Sequence, residues 1–268
     1  MKIGDFNIEG SSVSAFASFI GIKEMDILLD IGHCPPHFTR YNNVLITHGH
    51  QDHLLSISRY IGLRNMNHLP PATIFLPAGQ LDNVVQLLSL WSKIENRREY
   101  DVNLISVEPD KRYDINKHYH FKSFKTQHSF DSLGYALYEK RKKLKPEYLG
   151  LGGKDLVELK QAGKEIDYTL HIPQICYTGD TTDEIFDNEE VKKSRCLIIE
   201  STFLSDDHVD ISTNRAHLHL ESIIDYCRSA NNEFIILTHF SMRYMKKEVV
   251  QIISDTFGEL FGQKVFIL

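Results

Sequence analysis

A chain of 268 residues with 42% hydrophobic content can bury one large core or two small ones. Its formal net charge of −6 offers polyanions no overall attraction, so a nucleic-acid substrate would need a local basic surface. No stretch of eighteen apolar residues exists, which excludes a membrane-spanning helix, and Met1–Phe6 lacks the apolar centre of a secretion signal. The four cysteines, Cys34, Cys176, Cys196 and Cys227, are far apart and form no CxxC pair. Three of them sit in apolar runs and read as reduced core residues, which fits a reducing cytoplasm.

In chain order, Ser14–Ile20 and Asp26–Asp30 read as paired strands. Asn43–Thr47 is a further strand, followed by a histidine-rich loop and a helix through Leu54, Ile57 and Ile61. Thr73–Leu76 is a short apolar strand. Leu81, Val84, Val85, Leu88 and Trp91 recur at helical spacing, and Trp91 is assigned to core packing. Val102–Val107, Tyr119–Thr126 and Leu133–Tyr138 read as strands. The charged stretch Glu139–Tyr148 follows, then Gly150, Gly152 and Gly153, then a polar helix near Asp155–Gln161. Ile175–Thr178, Cys196–Glu200 and Phe234–Thr238 are short apolar strands, each ending in a polar residue. Leu220, Ile223, Ile224 and Cys227 line one helix face; Val249, Ile252, Ile253 and Phe257 line another; Val265–Ile267 closes as a strand. Strand and helix signals alternate without a long linker, so one domain spanning 1–268 is expected, with a short basic insertion around 139–163.

His48-Gly49-His50-Gln51-Asp52-His53 packs three imidazoles and a carboxylate into six residues just past a strand. These are ligands that hold zinc or manganese while leaving coordination positions open for water. Alternate residues of an extended stretch point the same way, so His48 and His50 can grip one ion while Asp52 and His53, past the bend, face a second. His128, Asp180 and His239 each follow a strand, where an α/β sheet usually puts its site. Taken singly, each could be a satisfied histidine or a helix cap. Together with the loop they make five His and two Asp, a set that suits two ions with one bridging carboxylate. Such a pair can lower the pKa of a shared water towards ~7, ready for attack at phosphorus or carbonyl carbon.

The order H-x-H-x-D-H, then His, Asp and His, resembles the metallo-β-lactamase superfamily. Tyr177–Thr182 (YTGDTT), Ile199–Phe203 (IESTF) and Leu237–Tyr244 (LTHFSMRY) are similar to motifs of ribonuclease Z, the endonuclease that trims the 3′ trailer from precursor tRNA. Lys140–Ile166 (KRKKLKPEYLGLGGKDLVELKQAGKEI) and Asp30–Pro35 (DIGHCP) resemble its short, plant-type branch. The resemblance runs over nearly the whole chain. It implies an α/β fold, a four-layer αββα sandwich with the site along one edge, and a homodimer in which one subunit's arm holds tRNA cut by the other. It further implies that His48, His50 and His128 hold one ion, that Asp52, His53 and His239 surround the other, and that Asp180 lies between. Two Zn2+ per chain are expected, with Mn2+ able to substitute. Asp52 would also orient or deprotonate the attacking water. Glu200 would orient His217, which would serve the leaving 3′ oxygen; His219, two residues on, is the alternative.

The chain departs from the family in three ways. Leu54-Leu55-Ser56 follows the ligand loop in place of small residues and glycine, the glycine-rich motif of bacterial members is absent, and the long tRNA-gripping arm is replaced by Glu139–Gly163. Lys140, Arg141, Lys142, Lys143 and Lys145 can contact phosphates, with Tyr148 beside them. Composition alone favours a solvated hairpin edge, and the resemblance turns this into a tRNA-binding role. Ser241 and Arg243, after His239, can bind a phosphate near the metals or cap the helix that begins near Tyr244. The remaining histidines, His33, His37, His68, His118, His120, His171 and His208, are assigned to structure or surface. Rival readings are another phosphodiesterase or a thioester hydrolase on the same ligands, or a non-catalytic metal- or RNA-binding scaffold.

Overall fold

The computed structural model describes residues 1–128, 131–205, 212 and 216–268, so His208 lies outside the described residues. The first sheet runs in the order β1 (Lys2–Ile3), β2 (Phe6–Ser14), β3 (Ala17–Ile22), β4 (Ile27–Leu29), β5 (Asn43–Leu45), β6 (Thr73–Pro77) and β7 (Asn103–Val107). It is antiparallel from β1 to β4 and parallel from β4 to β7. The helices α1 (Gln51–Leu54) and α2 (Ile57–Met66) connect β5 to β6, and α3 (Leu81–Ile94) connects β6 to β7.

The second half repeats this plan. An antiparallel series, β8 (Arg112–Asp114), β9 (Tyr119–Lys125), β10 (Leu133–Leu144) and β11 (Asp167–Tyr177), leads into parallel neighbours β12 (Cys196–Glu200), β13 (Phe234–Thr238) and β15 (Val265–Ile267). Between β10 and β11 lies α4 (Gly153–Gln161); α5 (Glu189–Lys193), α6 (Leu220–Ser229) and α7 (Lys246–Phe257) follow in the second half. The two-residue β14 (Phe240–Ser241) crosses to pair with β2, setting Ser241 beside Ser14.

Strand pleat explains the layers. Within β4, Ile27 and Leu29 point between the sheets while Leu28 packs under α2 and α3. Within β12, Ile198 points between the sheets while Leu197 and Ile199 meet α6 and α7. Strands buried on both faces read as continuous apolar runs, and these do. The expected αββα sandwich of two mixed sheets is therefore present.

Three expectations need correction. The strand placed at Ser14–Ile20 straddles a turn: β2 ends at Ser14 and β3 begins at Ala17. Gly10 and three serines dilute the apolar alternation of β2 and hide it. The strand placed at Leu133–Tyr138 runs on through the charged stretch to Leu144, where it pairs with Asp167–His171 past a register shift at Leu137/Tyr138. This two-stranded ribbon carries α4 beyond its end. Trp91 is not core: it is 42% exposed, and Val85, Leu87, Leu90 and Ile94 are more exposed still, while Val84 and Leu88 supply the buried contacts of α3.

Arg64 near the end of α2 is buried and carries a cation into the layer beneath the first sheet. Its guanidinium donates to the carbonyls of Thr39, Tyr41 and Pro70 and to Asn42 Oδ1, cross-linking three segments. Methionine matches its volume but leaves those acceptors orphaned, each costing ~1–3 kcal/mol. Arg64→Met is expected to destabilise the protein by at least about 3 kcal/mol in denaturant titrations; a loss below ~1 kcal/mol would show that water replaces the cross-link.

Candidate metal centre

Asp30 organises the site. It follows β4 with a left-handed φ of 57° and has no solvent exposure. Its Oδ1 accepts the Thr47 N–H at 2.7 Å, and its Oδ2 accepts from His53 Nδ1 and Tyr177 Oη, each at 2.8 Å. Thr47 Oγ1 stands 3.0 Å from both oxygens. With Nδ1 so engaged, His53 turns Nε2 toward the centre, the second-sphere arrangement that fixes a ligand's tautomer. Nothing in the strand pattern distinguished Asp30, and sequence reasoning gave it no role.

The loop after β5 closes against the next segment of the first sheet. Ile31 N–H donates to His53 O at 2.7 Å, and Ser56 N–H to Ile31 O at 3.0 Å. Gly32 is required here: a Cβ would sit 1.8 Å from Asp52 O. Leu54 is buried and Leu55 is 63% exposed, so the unusual Leu54-Leu55-Ser56 leaves the loop's approach intact. On the second sheet, Gly179 takes φ +60°, and a Cβ there would meet Thr47 Cγ2 at 2.8 Å. That close approach turns Asp180 into the same space.

All seven expected ligand residues converge. His48, His50, His128 and Asp180 offer atoms within 4.8 Å of one another, and so do Asp52, His53 and His239. His48 Nε2 lies 2.9 Å from His50 Nδ1, His50 Nδ1 3.2 Å from His128 Nε2, and His53 Nε2 3.2 Å from His239 Nε2. Asp180 Oδ2 stands between the groups, 3.7 Å from His48 Nε2, 3.8 Å from His128 Nε2 and 3.5 Å from His53 Nε2. Its buried Oδ1 has no hydrogen-bond partner among the described residues, although His239 Nδ1 is 3.4 Å away.

This donor set fits metal ions. Nitrogen ligands at 2.0–2.1 Å from a tetrahedral zinc are separated by about 3.3–3.4 Å, close to the spacings here. Burial, and then the neighbouring His53, hold the His48 imidazolium well below its ordinary range, so it is neutral as a ligand must be. At His53 burial opposes charge, but Asp180 and Asp30 outweigh it and favour a cation. An ion beside Nε2 satisfies the same demand while Nδ1–H stays on Asp30. Asp180 and Asp52 are likewise held below the usual carboxylate range: burial opposes this, and the facing histidines win.

Beside this centre, His217 Nδ1 is 3.0 and 3.1 Å from the two oxygens of buried Glu200. Glu200 also accepts the Thr181 and Leu218 amides and the Thr202 hydroxyl. Burial disfavours the His217 imidazolium, but the Glu200 carboxylate raises its pKa to about 9. His219 is engaged elsewhere: its Nε2 is 2.9 Å from Ser205 O and its Nδ1 accepts the Glu221 amide as the cap of α6. Of the two histidines, His217 is the one paired with Glu200. It also stands within the reach of Asp180 and His239, forming a third group of ligand-type atoms.

A cleft of about 690 Å³ opens over the centre, lined by Ser14, Ala15, His50, Asp52, His128 and His217 among others. Among the described residues, four of the eight non-glycine positions with positive φ border it or hold it: Ala15, Asp30, Ala216 and His239. Such conformations gather where surrounding contacts impose them. Ala15 N–H donates to Asp52 Oδ2 at 2.7 Å, and Ala216 O stands 3.1 Å from His128 Nδ1.

The basic residues do not join this centre; they lie along the ribbon. Lys140 pairs with Asp114 at 2.8 Å, Arg141 with Glu139 at 2.8 Å, Lys142 with Asp167 at 3.5 Å and Lys145 with Glu165 at 3.5 Å. Lys143 has no ion pair among the described residues. Tyr148 lies in a short 3-10 turn past the strand. Ser241 is beside the cleft through β14, and exposed Arg243 holds its guanidinium 5.8 Å from the Phe203 ring. Neither caps a helix, because α7 begins at Lys246 with Met245 at its cap. Of the remaining histidines, His120 and His171 meet each other at 2.8 Å.

No protein-family model matches the chain. It is 34% identical to a tRNase Z of Arabidopsis thaliana over 272 residues, covering 100% of this chain and 96% of that protein. Its structure resembles a metallo-β-lactamase fold protein of Bacillus subtilis (TM-score 0.63, 16% identity, 96% of this chain and 93% of the other). It resembles equally the short form of human tRNase Z (TM-score 0.63, 15% identity, 98% and 95%).

If Asp30 sets the orientation of His53, Asp30→Asn must weaken metal retention. The expected result is a ~10–100-fold loss of zinc affinity by competition with a chelating dye. Unchanged affinity in a folded variant would assign Asp30 to the fold alone.

Proposed function

We infer that this chain, which belongs to the tRNase Z (ribonuclease Z) family of the metallo-β-lactamase fold, is a metal-dependent endoribonuclease that removes the 3′ trailer from precursor tRNA by hydrolysing a phosphodiester. The observation that carries the site assignment is the convergence of five histidines and two aspartates, with the His217–Glu200 pair beside them. The alternative phosphodiesterase, thioesterase and scaffold readings do not account for 34% identity to a tRNase Z along the whole chain.

His48, His50 and His128 would hold one ion, Asp52, His53 and His239 the other, with Asp180 between. Two zinc ions are the proposed complement, since imidazole-rich sites with carboxylates suit zinc, and manganese is a workable substitute. When bound, such a pair polarises the phosphate and makes water a nucleophile at neutral pH. Asp52, an accessible ligand at the cleft, orients or deprotonates the attacking water. Its Oδ2 is held by the Ala15 amide.

His217 acts on the other side of phosphorus. Glu200 holds Nδ1, leaving Nε2 to give its proton to the departing 3′ oxygen. Attack by water then breaks the P–O3′ bond, leaving a 3′ hydroxyl on the tRNA and a 5′ phosphate on the trailer. Ser241 and Arg243 are proposed to bind a phosphate, a reading supported by the pairing of Ser241 with Ser14 of the cleft wall.

Residues 1–268 are proposed as one unit, with the ribbon and α4 as a reduced arm for the tRNA body. Arg141, Lys142 and Lys143 are exposed, while Lys140 and Lys145 are partly covered; surface ion pairs are worth little, so phosphates can compete for these cations. Four buried free cysteines support a reducing, cytoplasmic setting. No described helix is long and apolar enough to cross a membrane.

A homodimer is proposed through the outer face of α2 and α3. There a groove of about 1400 Å³ is lined by Leu55, Leu63, Met66, Leu87 and Trp91, with Arg59, Arg97 and Glu95 at its rim. Both charge signs on one apolar patch suit a self-complementary, two-fold contact.

Two measurements test these assignments. Metal-loaded protein should cut a 3′-extended precursor tRNA once, after the tRNA body. Asp180→Ala should abolish the cut, and His217→Ala should slow it ~10²–10⁴-fold with metal content kept. Full activity in Asp180→Ala would defeat the bridged two-ion site. In sedimentation, Trp91→Glu should convert a dimer to a monomer; a persistent dimer would place the interface elsewhere.

A further inference from the structure

We propose that Phe16 is a stacking platform for an unpaired RNA base next to the scissile phosphate. The inference rests on the ribonuclease reading above and adds a substrate-positioning residue to it. A single exposed apolar side chain needs no explanation in itself. Phe16 differs because of the turn that carries it. The ring is 68% exposed at the tip of the β2–β3 hairpin and makes no ring contact among the described residues. The turn closes by Phe16 N–H to Val13 O at 3.1 Å.

Its neighbour Ala15 adopts φ +61°, which an alanine takes only when held there. What holds it is the 2.7 Å bond from Ala15 N–H to Asp52 Oδ2, inside the metal centre. Ser14 and Ala15 form part of the cleft wall, facing Gln127, Thr182, Glu184 and His217. Through β14, Ser241 sits directly beside Ser14, and Arg243 follows two residues on. Phe16 thus follows directly on the cleft wall at Ala15, whose amide is pinned to the Asp52 carboxylate, and the strand beside Ser14 leads on to the exposed Arg243.

That combination is how proteins hold single-stranded RNA: bases stack on aromatic rings while cations take the phosphates. Stacking is tolerant of sequence, because every base has a π face. It suits a site that must accept the differing nucleotides flanking the cut in different tRNAs.

The test uses full-length, metal-loaded protein and a precursor tRNA with 2-aminopurine placed either just before or just after the scissile phosphate. Wild type and Phe16→Trp are expected to quench the fluorophore on binding at one of the two positions. Phe16→Ala and Phe16→Leu should lose the quench, with kcat/KM falling roughly five- to a hundredfold, mostly through KM. Rescue by tryptophan but not leucine separates stacking from mere bulk. Quenching retained in Phe16→Ala at both positions, or leucine rescuing as well as tryptophan, overturns the proposal while leaving the ribonuclease reading intact. Failure of the wild type to cut the precursor at all overturns both.

Discussion

The site depends on one buried carboxylate. Asp30 takes donors from both sheets: Thr47 and His53 from the loop after β5, and Tyr177 from β11. Two further bonds reinforce the seam, Leu133 N–H to Thr47 O and Tyr135 Oη to Ile46 O. A carboxyl group without solvent must be met by hydrogen bonds, and the one from Tyr177 ties the two halves together at this point. The same register presents His53 to Asp52, Asp180 and His239.

Around that anchor the division of labour follows exposure. The ligand-type residues His48, His53, Asp180 and His239 are buried and held by neighbours on several sides. His50, Asp52 and His217 are partly accessible and line the cleft. The ligand-type residues deepest in the fold are thus kept from water, while His50, Asp52, His128 and His217 face the cleft. The strained backbone at Ala15, Ala216 and His239 lies on the border between the two sets, where a relaxed conformation would move an amide or carbonyl off its partner.

Much of this was readable from the chain alone. Doubly buried strands announce themselves as apolar runs, so β5, β6, β12 and β13 were placed within a residue or two. The ligand set was legible because its spacing is imposed by coordination chemistry rather than by packing. Other features leave no such trace. The basic end of β10 has solvent on both faces, so no alternation marks it as strand. The apolar stripe of α3 shows that something covers a face, but periodicity does not say whether that is the same chain. The choice between His217 and His219 needed geometry, because only structure reveals that His219 is already committed to capping α6. Asp30 stood out only as part of the DIGHCP motif, without a role, because its partners are distant along the chain, Tyr177 being 147 positions away.

The repeated plan of the two halves has a consequence in time. His53 and His239 meet across 186 positions of chain. At ribosomal rates of 5–20 residues per second, roughly ten to forty seconds separate their emergence. The grouping of His48, His50 and His128 draws on the chain through the end of β9, whereas that of Asp52, His53 and His239 waits for β13. Asp180, shared by both, emerges between them. The groups of ligand-type residues therefore emerge in sequence, and the nascent chain carries an incomplete centre until β13 has been made.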